Sequence, residues 1–284
     1  MTIWQAILLG IIQGLTEFIP ISSTAHLTIA GRAMGLINND QPEQWTAFIA
    51  VIQLGTLIAV IVYFLRDIIN ISAGFIAGNA AVLTKKEAPE HRRVACKLGW
   101  LIIIGTIPVG AAGLAFKRVI EGSLTKNLWV ITSSMIGVAV LLTIAEMVAS
   151  KRRNMDRLSV ADAVIVGLSQ VLALIPGSSR SGSTITGGLF AGLTREAAAR
   201  FSFLLSIPAV AASGLLELPK ALKSVSAPLS DLIVATVASA VVGYLSIAFL
   251  LRYLQRHTTF VFVGYRILIG AALLYLLASG GLSG

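Results

Sequence analysis

Charged residues are scarce in this chain of 284 residues: Asp, Glu, Lys and Arg make up 12% of it, and hydrophobic residues make up 56%. A soluble domain carries roughly a quarter charged residues. The mean hydropathy of +0.86 agrees with this imbalance. Several apolar segments reach about 20 residues, the length that crosses a bilayer. The composition excludes a soluble globular protein and predicts an integral membrane protein.

Cysteine is almost absent, since Cys96 is the only one, and an intrachain disulfide is therefore excluded. No basic segment precedes the first apolar stretch, which itself carries polar residues, so we do not interpret it as a signal peptide. The formal charge of +9 is compatible with nucleic acid binding, but the basic residues cluster in short loops between apolar segments. We therefore expect contact with membrane lipids and no nucleic acid partner.

Hydropathy predicts an all-α polytopic membrane protein with six full transmembrane helices. These helices are Trp45–Leu65, Leu98–Phe116, Leu128–Val148, Phe201–Leu218, Leu232–Leu251 and Phe260–Ala278. Two further apolar pieces, Ile3–Phe18 and Val160–Ile175, are shorter, and a proline ends each of them. With the polar segments that follow, they predict two re-entrant helical hairpins. The segment Ile68–Lys97 is predicted to be a loop, apolar at first and then basic.

The two halves of the chain repeat one another. Ala6–Leu15 aligns with Ala163–Leu172, and Ile19–Ser23 aligns with Ile175–Ser179. Apolar helices resemble each other by chance, but the shared Gln, Pro and Ser-Ser are harder to explain in that way. We therefore divide one membrane domain, 1–284, into a first repeat over 1–150 and a second over 158–284. Because each repeat has one hairpin and three full spans, the second is expected to be inverted relative to the first.

The basic residues indicate the orientation in the membrane. One side collects Arg66, Lys85, Lys86, Arg92, Arg93, Lys97, Lys151, Arg152, Arg153, Arg157, Arg195, Arg200, Arg252 and Arg256. The other side collects Arg32, Lys117, Arg118, Lys126, Lys220 and Lys223. By the positive-inside rule the first side is cytoplasmic and both termini lie outside. The first hairpin then enters from outside and the second from the cytoplasm, so that their tips meet near the midplane.

The stretch Gln13–Leu27 places a carboxylate beside a helix break at Pro20, within apolar sequence. A carboxylate at this depth is costly unless it is used. Glu17 is suited to bind Mg²⁺ or Ca²⁺, or to act as a general base. Gln13 lies one helical turn earlier and can add a carbonyl oxygen to that cation. The alternative is that Glu17 is a protonated or hydrogen-bonded structural carboxyl.

After this break the chain restarts with hydroxyl groups and a histidine: Ser22, Ser23, Thr24 and His26. The restarting helix points its free N–H groups and the positive end of its dipole at the site, which is a ready anion pocket. We interpret His26 as a catalytic acid, base or nucleophile rather than as a packing histidine. Ser22 or Ser23 is either an activated nucleophile or a helix cap, and the two interpretations are about equally supported.

The second break, Pro176–Thr184, repeats this design with an arginine. Its glycines, Gly177 and Gly182, let the backbone approach a ligand, and Arg180 can fork two phosphate oxygens. An unpaired arginine is expensive in a membrane, which favours phosphate binding over an arginine that snorkels to the interface. Arg266 of the last span is expected to snorkel or pair and is assigned no role. The predicted substrate-binding residues are Ser22, Thr24, Gly177, Ser178, Ser179, Ser181, Ser183 and Thr184.

Three motifs resemble those of a known family. Gln13–Glu17 matches a Glu/Gln-x-x-x-Glu motif, Pro20–His26 matches the segment after it, and Pro176–Thr184 matches a Pro-Gly-x-Ser-Arg-Ser-x-x-Thr motif. Over essentially its whole length the chain resembles the undecaprenyl-diphosphate phosphatases of the bacitracin-resistance type. The resemblance implies hydrolysis of undecaprenyl diphosphate to the monophosphate carrier lipid of peptidoglycan assembly. It also implies a divalent cation, Mg²⁺ or Ca²⁺, and a site that faces outside.

Carried over by position, the resemblance implies that Glu17 is the essential acidic residue and that Ser23 and His26 are catalytic. Arg180 would hold the diphosphate. Gln13 stands where other members have Glu, so one anionic metal ligand is missing and the set of ligands stays open. The resemblance also places three hydroxyl groups in the pocket: Ser179, Ser181 and Thr184.

A transporter of a polyprenyl phosphate lipid is the competing hypothesis, because inverted repeats with broken helices are typical of transporters. The hydroxyl, imidazole and carboxylate groups beside an arginine favour hydrolysis, although a binding site could use the same groups. An ion channel is weakly supported, since no ring of polar residues recurs on several spans. Small residues such as Gly137, Gly243 and Gly270 could serve helix contacts, which leaves open a homodimer.

Overall fold

The computed structural model describes residues 1–37, 42–85, 87–117, 127–224 and 228–281, and the side chains of 42, 43, 217 and 220–224 are not described. Within the described residues the chain forms α-helices, two short 3₁₀ turns (Met155–Arg157 and Leu172–Leu174) and no strand. In chain order the helices are α1 Ile3–Phe18, α2 Ser23–Ala33, α3 Pro42–Tyr63, α4 Leu65–Leu83, α5 Glu90–Ala115, α6 Leu128–Val148, α7 Val160–Val171, α8 Arg180–Phe190, α9 Arg195–Ser224, α10 Leu229–Leu254 and α11 Phe260–Ala278.

Six of these helices contain stretches long and apolar enough to cross a membrane: Gln44–Tyr63, Glu90–Ala115, Leu128–Val148, Arg195–Leu216, Leu229–Leu254 and Phe260–Ala278. Each contains or overlaps one of the six predicted spans, and Ile3–Phe18 and Val160–Leu174 are shorter apolar helices, as expected. The all-α, multi-pass membrane fold predicted from hydropathy is therefore confirmed.

The prediction of a loop over Ile68–Lys97 was wrong. The chain is helical over α4 and again from Glu90, the start of α5. These helices pack closely, because Gly74 lies against Ala95 and Gly78 lies against Cys96, with no room for a side chain at either glycine. Glycines four residues apart form such close helix contacts. Hydropathy misses α4 because packing on α5 stabilises this helix, whereas hydropathy detects helices that are long and apolar enough to span the membrane.

The two predicted hairpins, α1–α2 and α7–α8, share their local signals. α1 and α7 both begin with a capping box, at Thr2 and Ser159. α2 and α8 each have 11 residues and a serine N-cap with positive φ, at Ser22 (79°) and Ser179 (69°). Three pairs of residues correspond at a spacing of 157: Thr2 and Ser159, Ser22 and Ser179, and the positive-φ glycines Gly35 and Gly192.

This spacing corrects the alignment of the two breaks by one residue. The first N-cap, Ser22, corresponds to Ser179 and not to Ser178, so Ser23 corresponds to Arg180. The first break has four residues between its helices and the second has five after the 3₁₀ turn. Gly177, with φ of 90°, lies in the longer break. The aligned Ser-Ser pairs therefore hide a one-residue shift.

The hairpins pack against spans of the opposite half of the chain: α1 lies on α10, and α7 lies on α5. A Cβ at Gly14 of α1 would lie 2.7 Å from the backbone nitrogen of Gly243 in α10. In the same way Gly167 of α7 lies against the backbone of Gly105 in α5. The small residues therefore let the two halves interdigitate.

The orientation in the membrane, with the second half inverted and both termini outside, stays a prediction. Among the basic residues used for it, Lys86, Arg118 and Lys126 and the side chains of Lys220 and Lys223 lie outside the described residues. At one end of α6, the buried Glu146 pairs with Lys151 and with Arg195 at the start of α9.

Candidate active site

The two helix breaks meet at a buried ion pair. Nη2 of Arg180, the first residue of α8, lies 2.6 Å from Oε1 of Glu17, near the end of α1. Glu17 is 4% exposed, and the side chain of Arg180 is 15% exposed. Either charge alone would be costly at such a position, so their pairing across 163 residues fixes the two tips together. The predicted meeting of the tips is thus observed.

The carboxylate of Glu17 accepts three further hydrogen bonds. Gln13 Nε2 donates to Oε2 over 2.9 Å, and Ser23 Oγ donates to the same oxygen over 2.8 Å. Gln53 Nε2, from α3, approaches Oε1 at 3.5 Å. Because an ionised carboxylate only accepts, four donors around Glu17 are the surroundings that suit it. The Ser23 hydroxyl is the one nucleophile candidate among them.

Two serines of the breaks cap helices, and a third bonds with Glu17 instead. Ser22 Oγ accepts from the backbone N–H of Ala25 in α2, and Ser179 Oγ accepts from that of Gly182 in α8. Ser22 and Ser179 are therefore N-caps, whereas Ser23 points its hydroxyl at Glu17. The starts of α2 and α8 lie at the junction of the two hairpins, which is the place where Glu17 meets Arg180. The remaining N–H groups of these helix N-termini favour anions.

Two buried polar atoms at the junction have no hydrogen-bond partner among the described residues: Arg180 Nη1 and Gln13 Oε1. Nearly all buried polar groups in proteins are paired. One of these atoms is a donor of a cationic group, and the other is a carbonyl-type acceptor. They therefore offer one contact for an anion and one for a cation beside Glu17.

Among the described residues the side chain of His26 hydrogen-bonds with Ser22 and Tyr265, and not with Glu17 or Ser23. Its Nδ1 lies 2.7 Å from the carbonyl oxygen of Ser22, and its Nε2 lies 2.7 Å from the hydroxyl of Tyr265 in α11. The two rings are nearly parallel, with an interplanar angle of 12° and centroids 5.6 Å apart. His26 therefore belongs to the same hairpin tip but bonds with the last helix.

Arg266 neither snorkels nor pairs with a carboxylate, so that expectation was wrong. Its side chain is fully buried, and its guanidinium donates to the carbonyl oxygens of Met135, Pro20, Gly177 and Ser178 at 2.9–3.3 Å. Pro20 belongs to the first break, and Gly177 and Ser178 belong to the second. Snorkelling fails because the carbonyl groups of both breaks converge on the guanidinium inside the protein.

The glycines of the second break, Gly177 and Gly182, lie close to other protein groups. A Cβ at Gly177 would meet the carbonyl oxygen of Ile131 in α6, and Ser134 Oγ donates to the carbonyl oxygen of Pro176 beside it. A Cβ at Gly182 would lie 3.0 Å from Nη1 of Arg266. Gly177 therefore seats the second tip on α6.

The other predicted pocket residues hold different positions. Ser181 Oγ lies 3.2 Å from Ser179 Oγ and 3.3 Å from the Ile19 carbonyl oxygen of the first break. Thr184 is fully buried and bonds with Ser202 Oγ in α9 at 2.5 Å. Ser178 and Ser183 are buried, and Thr24 is half-buried in the first turn of α2. Thr184 therefore holds α8 to α9.

Sequence reasoning missed Gln53, Tyr265 and Arg266 as members of the site. Gln53 and Arg266 interrupt apolar spans, which is a signal of function or packing. Tyr265 gives no such signal, because a tyrosine near a span end is ordinary at a membrane interface. Among the described residues no three His, Cys, Asp or Glu side chains cluster as metal ligands. A cation here would therefore need Glu17, neutral oxygens and the substrate itself.

Comparisons with known proteins agree with these motifs. The family model described as "Bacitracin resistance protein BacA" matches residues 6–272. The chain is 55% identical over 284 residues to an undecaprenyl-diphosphatase of Syntrophobacter fumaroxidans, with 99% of each chain covered. It is 48% identical over 292 residues to one of Chlorobaculum tepidum, again with 99% of each chain covered. It is 46% identical over 284 residues to one of Mycobacterium bovis, covering 99% of this chain and 98% of that protein. The chain belongs to the bacitracin resistance protein BacA family.

Proposed function

We propose that the site at the two hairpin tips hydrolyses undecaprenyl diphosphate to undecaprenyl phosphate and inorganic phosphate. The observation that carries the proposal is that Ser23 and Arg180 both contact one buried carboxylate, Glu17. A hydroxyl, a base and a cation for phosphate are the parts that phosphoryl transfer requires. Relatives at 46–55% identity over 98–99% of both chains are named undecaprenyl-diphosphatase. Recycling this carrier lipid supplies cell-wall synthesis and gives bacitracin resistance.

The diphosphate is held by Arg180 and by the helix N-termini. Nη1 of Arg180 has no partner among the described residues, while Nη2 bonds with Glu17. The guanidinium can therefore keep its hold on Glu17 and donate to a phosphate oxygen at the same time. The N–H groups at the starts of α2 and α8 add donors from both hairpins. Charge that develops on the transferred phosphoryl group is stabilised by the same donors.

A divalent cation fits the donor set of the site. Mg²⁺ is commonly bound through one or two carboxylates together with substrate phosphates and water. Glu17 is the carboxylate, and Gln13 Oε1 is a buried oxygen with no partner among the described residues. These two residues would hold the ion, which would supply Lewis-acid stabilisation of phosphate charge.

Ser23 is the better-placed nucleophile, because its hydroxyl donates to Glu17 whereas the His26 ring nitrogens are engaged by Ser22 and Tyr265. Glu17 takes the proton as Ser23 Oγ bonds with the terminal phosphorus, and the bridging P–O bond breaks to release undecaprenyl phosphate. Water then attacks the phosphoserine, the P–O bond to Ser23 breaks as Glu17 returns the proton to Ser23 Oγ, and inorganic phosphate is released. In the alternative mechanism, water attacks the terminal phosphorus directly, and Ser23 only donates a hydrogen bond.

The substrate arrives from the membrane. The spans are apolar over their length, which suits a polyprenyl tail that stays among lipids while the diphosphate enters the junction. We place the site on the outer face, as the basic residues of the loops suggest.

A homodimer stays a proposal. Transport of the monophosphate lipid is not favoured, because the relatives are named for hydrolysis.

The test is phosphate release from undecaprenyl diphosphate by the purified protein in detergent, with Mg²⁺, with Ca²⁺ and with EDTA. Ser23→Ala should lower kcat by about a hundredfold or more, because the nucleophile is lost. The matched control is Ser213→Ala, since Ser213 is an exposed serine of α9, and it should keep wild-type kcat.

Release that requires a cation and a serine at position 23 supports the proposal. Folded protein that binds the lipid but releases no phosphate would contradict it and would favour the transporter. Full activity of Ser23→Ala would instead remove only Ser23 from the mechanism. Detection of phosphate on Ser23 after rapid quenching would separate attack by serine from attack by water.

A further inference from the structure

The Tyr265 hydroxyl is the only side-chain group among the described residues that hydrogen-bonds with His26. Tyr265 lies in α11, 239 residues away in the chain from His26. Nothing in the motifs that identify the site includes it. The inference below rests on the proposed hydrolysis and concerns His26, which lies at the first hairpin tip.

The hydrogen bonds of His26 fix its tautomer. Nδ1 lies 2.7 Å from the Ser22 carbonyl oxygen, and a carbonyl oxygen can only accept, so Nδ1 carries the proton. In neutral imidazole the other nitrogen is then an acceptor. Nε2 lies 2.7 Å from the Tyr265 hydroxyl, which must therefore donate to it. Both ring nitrogens are assigned by their partners, one on each side of the ring.

The orientation of the ring is fixed as well. Ser22 holds its carbonyl group at a helix N-cap with φ of 79°, so one anchor belongs to the rigid break itself. The other anchor, Tyr265, is next to Arg266, whose buried guanidinium binds carbonyl groups of both breaks. The nearly parallel rings of His26 and Tyr265 prevent the imidazole from turning away. Helix α11 thus sets the position of a hairpin tip through two adjacent residues.

We propose that Tyr265 is a positioning residue for the reaction, which holds His26 in the Nδ1-protonated form with Nε2 directed at the last helix. With Nδ1 bonded to the Ser22 carbonyl oxygen and Nε2 accepting from the Tyr265 hydroxyl, the neutral imidazole keeps one orientation at the hairpin tip that carries Ser23. Tyr265 acts through His26 and need not touch the diphosphate. Its loss should therefore change turnover much more than substrate binding.

The experiment combines a spectroscopic and a kinetic measurement on the full-length protein in detergent. The chain has three histidines, His26, His91 and His257, so ¹⁵N-histidine labelling gives a simple spectrum, and His26→Gln assigns the His26 signals. We expect a protonated Nδ1 and an acceptor Nε2 in the wild type. Tyr265→Phe keeps the ring and removes the donor, so the Nε2 signal should shift while the signals of the other two histidines stay unchanged.

In the kinetic measurement Tyr265→Phe should lower kcat about tenfold, the effect of about one lost hydrogen bond at His26, with KM within about twofold. In a His26→Gln background the same change should have no further effect. Tyr275→Phe is the matched control, because Tyr275 lies on the same helix and is exposed, and it should leave both measurements unchanged.

Three results would overturn the proposal: a protonated Nε2 in the wild type, an unchanged His26 signal in Tyr265→Phe, or an equal loss of kcat with and without His26. The last result would mean that Tyr265 acts only on the fold. If the wild type releases no phosphate, the proposed function fails. The tautomer of His26 still decides whether Tyr265 positions it, so the two failures are distinguishable.

Discussion

Replacing Arg266 should destabilise the whole junction of the two hairpins. Its guanidinium makes five hydrogen bonds to four backbone carbonyl groups, two of them to Met135. Arg266→Met leaves these carbonyl groups without their donor, at about 1–3 kcal/mol for each buried group. The variant also no longer buries a charge, and this lowers the cost of folding by several kcal/mol. A net loss of about 3–5 kcal/mol is the expected balance.

The assay is thermal unfolding of the purified protein in detergent, followed by loss of soluble protein. Each kcal/mol shifts the midpoint by roughly 2–4 °C in a protein of about this size, so Arg266→Met should unfold about 10 °C lower. Arg266→Lys keeps the charge but not the planar fork, and it should lie between the variant and the wild type. The control is Arg252→Met, since Arg252 is exposed on α10, with a change of less than about 0.5 kcal/mol. An Arg266→Met midpoint equal to that of the control would refute the reasoning.

Three further predictions concern neighbouring features. Gly177→Ala forces a side chain into φ of 90° and against the Ile131 carbonyl oxygen, so it should lower the stability in thermal unfolding by about 1–3 kcal/mol. Gly137→Ala, where a Cβ meets nothing within 4 Å, is the control and should leave the stability unchanged. Gly78→Leu should separate α4 from α5 at Cys96, and increased labelling of Cys96 by a maleimide would show it. EDTA should abolish phosphate release and added Mg²⁺ or Ca²⁺ should restore it; activity that survives chelation would exclude the proposed cation.

Hydropathy and prolines were sufficient for the membrane fold. The spans are long and apolar, so their burial in lipid decides their structure, and each broken helix carries its own stop signal in the sequence. Helix α4 could not be predicted in this way, because it is held by glycine contacts with Ala95 and Cys96 rather than by hydropathy. The exact correspondence of the breaks was also hidden, since the repeated Ser-Ser pairs align Ser22 with Ser178, whereas the two N-caps pair Ser22 with Ser179.

The sequence predicted those parts of the site whose signal lies within one short segment of the chain. Glu17 and Arg180 stand out because a charge in an apolar segment needs a reason. Their direct contact, however, depends on helices from opposite halves of the chain. Arg266 was misjudged for the same reason, since its acceptors are carbonyl groups 88–246 residues away. The contact of His26 with Tyr265 likewise has no local signal in the sequence.

The most direct measurement of the central claim is phosphate release from undecaprenyl diphosphate by two variants, one in each hairpin. Glu17→Gln removes the charge at the first tip, and Arg180→Met removes the charge at the second. The account predicts that each variant loses about a hundredfold or more in kcat while the protein still binds the lipid. Wild-type turnover by either variant would contradict the claim that both hairpins build one hydrolytic site.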